Sequence, residues 1–122
     1  MTIKVYEYKA CSTCQKARKY LDAKGTRYEL IPIVEQPPTL TELKKMLVYL
    51  KDAGGSIKSL FNTSGVQYRE LAIAEKLKAG LSESAALALL AENGKLIKRP
   101  FLLTEKSGTV GFKEEVWQRL LS

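Results

Sequence analysis

The sequence predicts one α/β domain, built on an open four-stranded mixed sheet with helices on both faces. Three observations lead to this prediction. The first ~30 residues have the pattern of strand, helix and strand, the middle of the chain is helical, and the end contains two short strands and a closing helix. A strand–helix–strand unit pairs its strands in parallel, whereas two strands joined by a short turn pair antiparallel. The expected order over residues 1–122 is therefore βαβ, a helical insert at about 39–93, and ββα.

The βαβ unit rests on side-chain patterns and on one glycine. β-Branched and aromatic residues from Ile3 to Tyr8 predict a strand that ends just before Cys11. A helix follows from about Ser12 to Lys24, where Gly25 stands in the position of a C-cap glycine. Residues 26–33 predict the second strand. The inward face of the helix is expected to carry Cys14, Ala17, Tyr20 and Leu21.

The helical insert begins with a recognisable cap. Thr39 and Glu42 have capping-box spacing ahead of an apolar helix face. Further short helices are predicted over three ranges: 57–61, 69–78 and 81–92.

The end of the chain predicts a hairpin and a helix. Strands are expected over 100–104 and 109–112, with a turn at Lys106-Ser107-Gly108 between them. A last helix over 114–121 should bury one face against the sheet, with Val116, Trp117, Leu120 and Leu121 inward.

Composition excludes several kinds of site. The formal charge is +7, and residues 1–28 contribute +5 of it, from seven bases and two acids. This charge either attracts anions or forms an ordinary solvated helix face. The chain has no histidine, so catalysis by histidine and histidine-ligated metal sites are excluded. Two cysteines alone do not complete a tetrahedral zinc site, so we expect no metal.

The chain is expected to be cytoplasmic. Its apolar runs are too short to span a bilayer, and Lys4, Glu7 and Lys9 interrupt any signal-peptide pattern. In a reducing compartment a cysteine pair rarely serves as a permanent disulfide. A reactive role for the pair is therefore favoured over a structural one.

The motif Cys11-Ser12-Thr13-Cys14 follows a predicted strand and opens a predicted helix, which is the context of a redox-active CxxC. Free N–H groups and the helix dipole should stabilise a thiolate at Cys11. Cys14 is spaced to attack a mixed disulfide formed on Cys11. The alternative is that both cysteines are small core residues without a chemical role.

A second signal is Lys98-Arg99-Pro100, directly before the apolar residues 101–103. Proline is tolerated at the start of a strand, and a cis bond there would turn the chain sharply. The predicted fold brings this loop up against the CxxC motif.

Together these features resemble the arsenate reductase-like family, which includes ArsC, YffB, Spx and MgsR. The resemblance rests on the residues from Cys11 to Arg18, the helical insert, Lys98-Arg99-Pro100 and Gly111-Phe112-Lys113. It implies a thioredoxin-like fold, a nucleophilic cysteine at Cys11, a cis-proline at Pro100 and an oxyanion-binding arginine at Arg99.

The sequence departs from the arsenate reductases at the anion site. We assign the substrate anion to Ser12, Thr13 and Arg99. An arginine of those enzymes is replaced by Asn62, and another has only Lys113 as a cationic replacement. Lysine lacks the planar fork that binds an oxyanion through two hydrogen bonds. We therefore expect arsenate reduction to be weak or absent.

The predicted function is thiol–disulfide oxidoreduction at Cys11 and Cys14, without a bound cofactor. Glutathione or another low-molecular-weight thiol is the expected co-substrate, and a protein disulfide is an alternative substrate. A second hypothesis is a Spx-type redox-sensing regulator that binds RNA polymerase, and a third is a binding module with idle cysteines. Binding to membranes or directly to nucleic acid is not expected.

Overall fold

A computed structural model of the protein describes residues 3–121. Within this range no helix has both the length and the apolar character needed to cross a membrane. Two short 3₁₀ helices, Ile57–Leu60 and Gly94–Leu96, flank the later helices of the insert. The strands and α-helices, in chain order, are β1 (Lys4–Glu7), α1 (Ser12–Ala23), β2 (Glu29–Pro32), α2 (Leu40–Asp52), α3 (Val66–Glu70), α4 (Ile73–Lys78), α5 (Glu83–Glu92), β3 (Phe101–Leu103), β4 (Gly108–Val110) and α6 (Glu114–Leu121).

The four strands form one sheet in the order β2-β1-β3-β4. Strands β1 and β2 are parallel, with Val5 opposite Leu30, as the crossover through α1 requires. Strand β3 runs antiparallel to β1 and to β4, so that Leu102 lies between Val5 and Thr109. The predicted four-stranded mixed sheet is confirmed.

The two faces of the sheet carry separate apolar clusters. Because successive strand residues point to opposite faces, Val5 and Tyr6 lie in different clusters. Helices α1 and α6 cover the first face through Ala17, Leu21 and Trp117. The helices of the insert cover the second face. Strand β1 is thus buried on both faces, and its C-terminal end leads directly into the turn before Cys11.

The insert confirms one prediction and corrects another. Glu42 N donates to Thr39 Oγ1 at 3.1 Å and Thr39 N donates to Glu42 Oε1 at 3.0 Å, which completes the capping box. The single helix predicted over 69–78 is wrong, because the chain forms α3 and α4 with Ala72 between them at φ +51°. In one continuous helix Tyr68 and Ile73 would point about 140° apart. The break lets both side chains enter the core.

Candidate active site

Cys11 is the N-cap residue of α1, with extended backbone angles of φ −81° and ψ 119°. A tight turn holds it there, since Cys11 N donates to Tyr8 O at 2.9 Å. The Cys11 carbonyl accepts the first helical hydrogen bond, from Gln15 N at 3.1 Å. The half-buried thiol therefore lies beside the free N–H groups of the first helical turn.

The two cysteines differ in burial. Cys14 lies one turn inside α1 and is fully buried, whereas Cys11 is partly exposed. Both are free thiols, and the two residues approach to 3.3 Å. Only one sulfur of the pair is therefore open to attack a partner from solvent.

The pKa values of the two thiols are shifted in opposite directions. Burial raises the pKa of Cys11, whereas hydrogen bonds from the Cys14 N–H and thiol lower it. The Thr13 N–H and the charge of Arg99 act in the same direction, so the Cys11 pKa is lowered overall. Burial raises the pKa of Cys14 to about 12, with further increases from its contact with Cys11 and from the charge of Glu7. Cys11 is the thiol that ionises first.

Arg99 lies on the loop that faces Cys11. Its guanidinium stacks over the ring of Tyr8 at 4.7 Å from the ring centroid, and Nη1 donates to Lys95 O at 3.5 Å. The Nε atom is buried and has no hydrogen-bond partner within residues 3–121. The Arg99–Pro100 peptide bond is cis, and Pro100 is buried. Stacking on an aromatic ring leaves the rest of the guanidinium available to an anion.

The loop after β4 closes the opposite side of the site. Gly111 N donates to Pro100 O at 2.9 Å, and Trp117 Nε1 donates to Gly111 O at 3.0 Å. Gly111 adopts φ +76°, which favours glycine, and a Cβ there would lie 3.1 Å from Lys98 Cε. These contacts fix the start of the segment that carries Lys113, which lines the same cavity as Cys11.

A cavity of about 550 Å³ opens in front of Cys11. Three of its lining side chains are cationic and none is acidic. The lining residues are Cys11, Thr13, Leu50, Ser59, Asn62, Lys98, Arg99, Val110, Gly111, Phe112 and Lys113. A second cavity of about 360 Å³ shares Asn62 and Arg99 with the first, so the two are contiguous.

The structure brings together most of the predicted site residues. Cys11, Thr13 and Arg99 line the first cavity, and Cys14 lies behind Cys11. Ser12 is exposed and is not among the residues that line that cavity, so its assignment to the anion site stays a prediction. Ser12 is the first residue of α1, and the next residue, Thr13, is partly buried.

Sequence reasoning assigned no role in the site to four cavity residues, which are Leu50, Ser59, Val110 and Lys98. Leu50 ends the inward face of α2 and Ser59 lies in the following 3₁₀ helix, so only the docking of the insert brings them to Cys11. Lys98 was noted only as part of the tripeptide before β3. Its place next to Arg99 in the sequence was the signal that could have assigned Lys98 to the anion site. The fold then adds Lys113 as a third cation.

Comparison with known proteins identifies the family. A sequence model of the ArsC family matches residues 6–120, which is nearly the whole chain. The chain belongs to the ArsC family. It is 44% identical over 118 residues to the protein YusI of Bacillus subtilis (strain 168), covering 97% of each chain.

Solved structures of the family have the same fold. One is described as an ArsC family related protein from Bacteroides fragilis, with a TM-score of 0.87 and 45% identity over 98% of both chains. Another is described as a possible arsenate reductase from Streptococcus mutans UA159, with a TM-score of 0.82 and 38% identity over 96% of this chain and 98% of the other. The predicted thioredoxin-like fold is confirmed.

Transcription regulators are more distant relatives. The global transcriptional regulator Spx of Enterococcus faecalis (strain ATCC 700802 / V583) is 29% identical over 120 residues, covering 96% of this chain and 84% of that protein. The proteins similar to this chain thus include one described as a possible arsenate reductase and one described as a transcriptional regulator.

Proposed function

We propose that the protein is a thiol–disulfide oxidoreductase with Cys11 as its nucleophile and Cys14 as its resolving cysteine. The observation that supports this most strongly is the pairing of a partly exposed thiol of lowered pKa, which lines the cavity, with a buried thiol of raised pKa behind it. An attacking cysteine must be a thiolate and accessible, and a resolving cysteine must be close and protected.

The reaction proceeds in two exchanges. The Cys11 thiolate attacks one sulfur of a partner disulfide, forms a mixed disulfide and releases one partner thiolate. Cys14 then loses its proton and attacks the Cys11 sulfur, which forms the Cys11–Cys14 disulfide and releases the second partner thiolate. The protein loses two electrons and the partner disulfide gains them. Two molecules of a low-molecular-weight thiol reduce the internal disulfide and leave as their own disulfide.

The charge of the cavity supports an anionic co-substrate. Lys98, Arg99 and Lys113 line it without a lining acid, and such a cavity raises the local concentration of anions. Glutathione carries two carboxylates and one ammonium group, so its net charge matches the cavity. Glutathione, or another anionic low-molecular-weight thiol, is therefore the co-substrate that we propose.

The same lining argues against efficient arsenate reduction. Asn62 occupies the cavity where the resemblance implies an arginine, so Arg99 is the one guanidinium among the lining residues. Lys98 and Lys113 supply charge without a planar fork. A disulfide substrate needs no such fork, because the chemistry takes place at sulfur.

Reaction with oxidised glutathione tests the proposal. The reduced protein should form the internal disulfide and release two equivalents of glutathione. Cys14→Ser should stop at one glutathione bound to Cys11, and Cys11→Ser should not react. Intact-mass and peptide mass spectrometry distinguish these products. Reaction of Cys11→Ser at the rate of the unsubstituted protein would overturn the proposal.

A second candidate function is a Spx-type redox-sensing regulator that binds RNA polymerase. It is favoured by the likeness to the Spx protein named above. Affinity capture from a bacterial lysate with Cys14→Ser separates the two functions. Recovery of RNA polymerase subunits that persists in a variant without cysteines supports the regulator. Capture of mixed disulfides on Cys11 supports the oxidoreductase.

A further inference from the structure

The second cavity lies beside the one in front of Cys11 and differs from it in charge. It is lined by residues of the turn before Cys11, of α3 and of the 3₁₀ helix Gly94–Leu96, and its volume is about 360 Å³. The first cavity has cationic side chains without an acid, whereas the second has Lys95, Arg99 and Glu70. A ligand group that is complementary to the second cavity therefore carries both a negative and a positive charge.

Two side chains mark the boundary between the cavities. Asn62 and Arg99 line both of them. A Cβ on Gly65 would lie 2.8 Å from Asn62 Nδ2, so the glycine leaves room for the Asn62 side chain at this boundary. A molecule whose sulfur meets Cys11 in the first cavity can therefore extend past Asn62 into the second.

The polar groups of the second cavity are available to a ligand. Asn93 Oδ1 accepts from Lys95 N at 3.1 Å, so the Asn93 amide donates through Nδ2 to Gln67 Oε1 at 2.8 Å. This arrangement leaves Gln67 Nε2 as a donor. Within residues 3–121 the Glu70 carboxylate and the Lys95 ammonium group have no hydrogen bond or ion pair. The two opposite charges do not pair with each other, and each can bind a charge of a ligand.

Two apolar side chains in the same cavity are exposed. Tyr8 is 37% exposed and Val66 is 57% exposed, and both line the second cavity. Methylene groups that pack against them would remove apolar surface from water, which favours binding. The cavity thus suits a flexible apolar arm that ends in an ammonium group and a carboxylate, which is the structure of an amino-acid side arm.

We infer that the second cavity binds the amino-acid end of the thiol co-substrate, with Glu70 as the acceptor for its ammonium group. This inference rests on the proposed oxidoreductase function and names the class of co-substrate, a thiol that carries an amino acid beyond its sulfur. In glutathione this end is the γ-glutamyl residue. Its methylene groups lie against Tyr8 and Val66, and Lys95 binds its carboxylate. The glycyl carboxylate stays with the cations of the first cavity.

General electrostatics makes the opposite prediction for Glu70. Glutathione disulfide has a net negative charge, so removal of the Glu70 charge alone would strengthen its attraction to the protein and speed its reaction. If Glu70 instead binds the ammonium group, Glu70→Gln slows that reaction. The direction of the effect therefore separates a specific contact from a general one.

The rate at which Cys11 reacts with different disulfides tests the inference. The rate is measured in a Cys14→Ser background, where Cys11 attacks one sulfur, keeps one half of the reagent as a mixed disulfide and releases the other half as a thiolate. Intact-mass spectrometry of quenched samples follows the mixed disulfide. Glu75→Gln, which neutralises an exposed acid on α4 that lines neither cavity, is the matched control.

Three reagents separate the parts of the co-substrate. The first is glutathione disulfide. The second is the disulfide of glutaryl-cysteinyl-glycine, in which hydrogen replaces the amino group of glutathione and nothing else changes. The third is bis(2-hydroxyethyl) disulfide, which is uncharged and has no amino-acid end, so that it reports the chemistry at Cys11 alone.

Glu70→Gln should slow the reaction with glutathione disulfide about 5-fold, the upper end for an exposed ion pair. Its reactions with the other two reagents should be unchanged or faster, and circular dichroism verifies that it is folded. Glu75→Gln should leave the ratio of the three rates unchanged. An unchanged or faster reaction of Glu70→Gln with glutathione disulfide, or an equal slowing with all three reagents, would overturn the inference and leave the oxidoreductase intact. Failure of Cys11 to react with any of the reagents would overturn the proposed function itself.

Comparison of the first two reagents tests the inference without any change at Glu70. The glutaryl disulfide is more negative than glutathione disulfide, so the cationic first cavity alone would make it react faster. If Glu70 binds the ammonium group, the glutaryl disulfide reacts about 5-fold more slowly instead. An equal or faster rate for the glutaryl disulfide would contradict the role of the second cavity.

Discussion

Replacement of Arg99 by alanine should impair the site and leave the fold nearly unchanged. The structural contacts of Arg99 are a cation–π contact with the exposed ring of Tyr8 and a long hydrogen bond of 3.5 Å to Lys95 O. An exposed cation–π contact contributes about 0.5–1 kcal/mol, and a hydrogen bond of this length adds little. We expect the melting temperature to fall by about 4 °C or less.

The functional effect of Arg99→Ala should be larger. A hydrogen bond to a charged group is worth about 1.5–3 kcal/mol, and its loss corresponds to about 10- to 150-fold weaker anion binding. The charge of Arg99 also lowers the pKa of Cys11, so its removal should raise that pKa and slow alkylation at neutral pH. Chemical-shift titration with inorganic phosphate measures the affinity, with Arg27→Ala, which removes an exposed arginine outside the cavity, as the control. A large loss of stability with unchanged phosphate affinity would refute the assignment.

Three further predictions concern the cavity and the fold. Arsenate turnover with glutathione and glutaredoxin should stay below the usual enzyme range of about 1–10³ per second, and Asn62→Arg should increase it; turnover within that range before substitution would contradict the account of the cavity. Burial raises the pKa of Glu42, but hydrogen bonds from the Thr39 N–H, the Tyr6 hydroxyl and Lys4 lower it overall. Its ionised form therefore stabilises the fold above its unfolded pKa of about 4.3, and this contribution is lost as the pH falls through the lower folded value. Glu42→Gln should cost about 1–3 kcal/mol in urea unfolding at pH 7 and little near pH 2, and an equal cost at both would be inconsistent with this explanation. Gly94→Ala should destabilise the fold by about 3 kcal/mol or more, because the added Cβ would overlap the backbone oxygen of Ile33; an unchanged midpoint of urea unfolding would contradict this.

The sequence predicted the order of elements because local signals mark their ends. The Thr39–Glu42 capping box and the glycine after α1 both stand where expected. The sequence patterns predicted strands that are too long. The length of a strand is set by how many of its residues pair with a neighbouring strand, which the pattern does not show. Strand β2 has four residues because β1 offers four partners, from Lys4 to Glu7. The break at Ala72 had no local signal, because alanine favours helix and only the core contacts on either side stabilise its left-handed backbone.

The candidate site was predicted where its residues are consecutive in sequence. Cys11 and Thr13 follow from the motif, and Arg99 follows from the resemblance. Leu50 and Ser59 reach the cavity only when the insert docks on the sheet, which no pattern within the insert specifies. The burial of Glu7 was equally hidden, because an acid at the end of a strand is usually solvated.

The most direct test of the central claim is the alkylation of the reduced protein by iodoacetamide, read by peptide mass spectrometry across pH. Cys11 should label first, with an apparent pKa below that of a free cysteine at about 8.5. Cys14, with a pKa of about 12, should stay unlabelled at neutral pH until the protein is unfolded. Faster labelling of Cys14, or labelling of both residues at the rate of free cysteine, would contradict the assignment of Cys11 as the nucleophile.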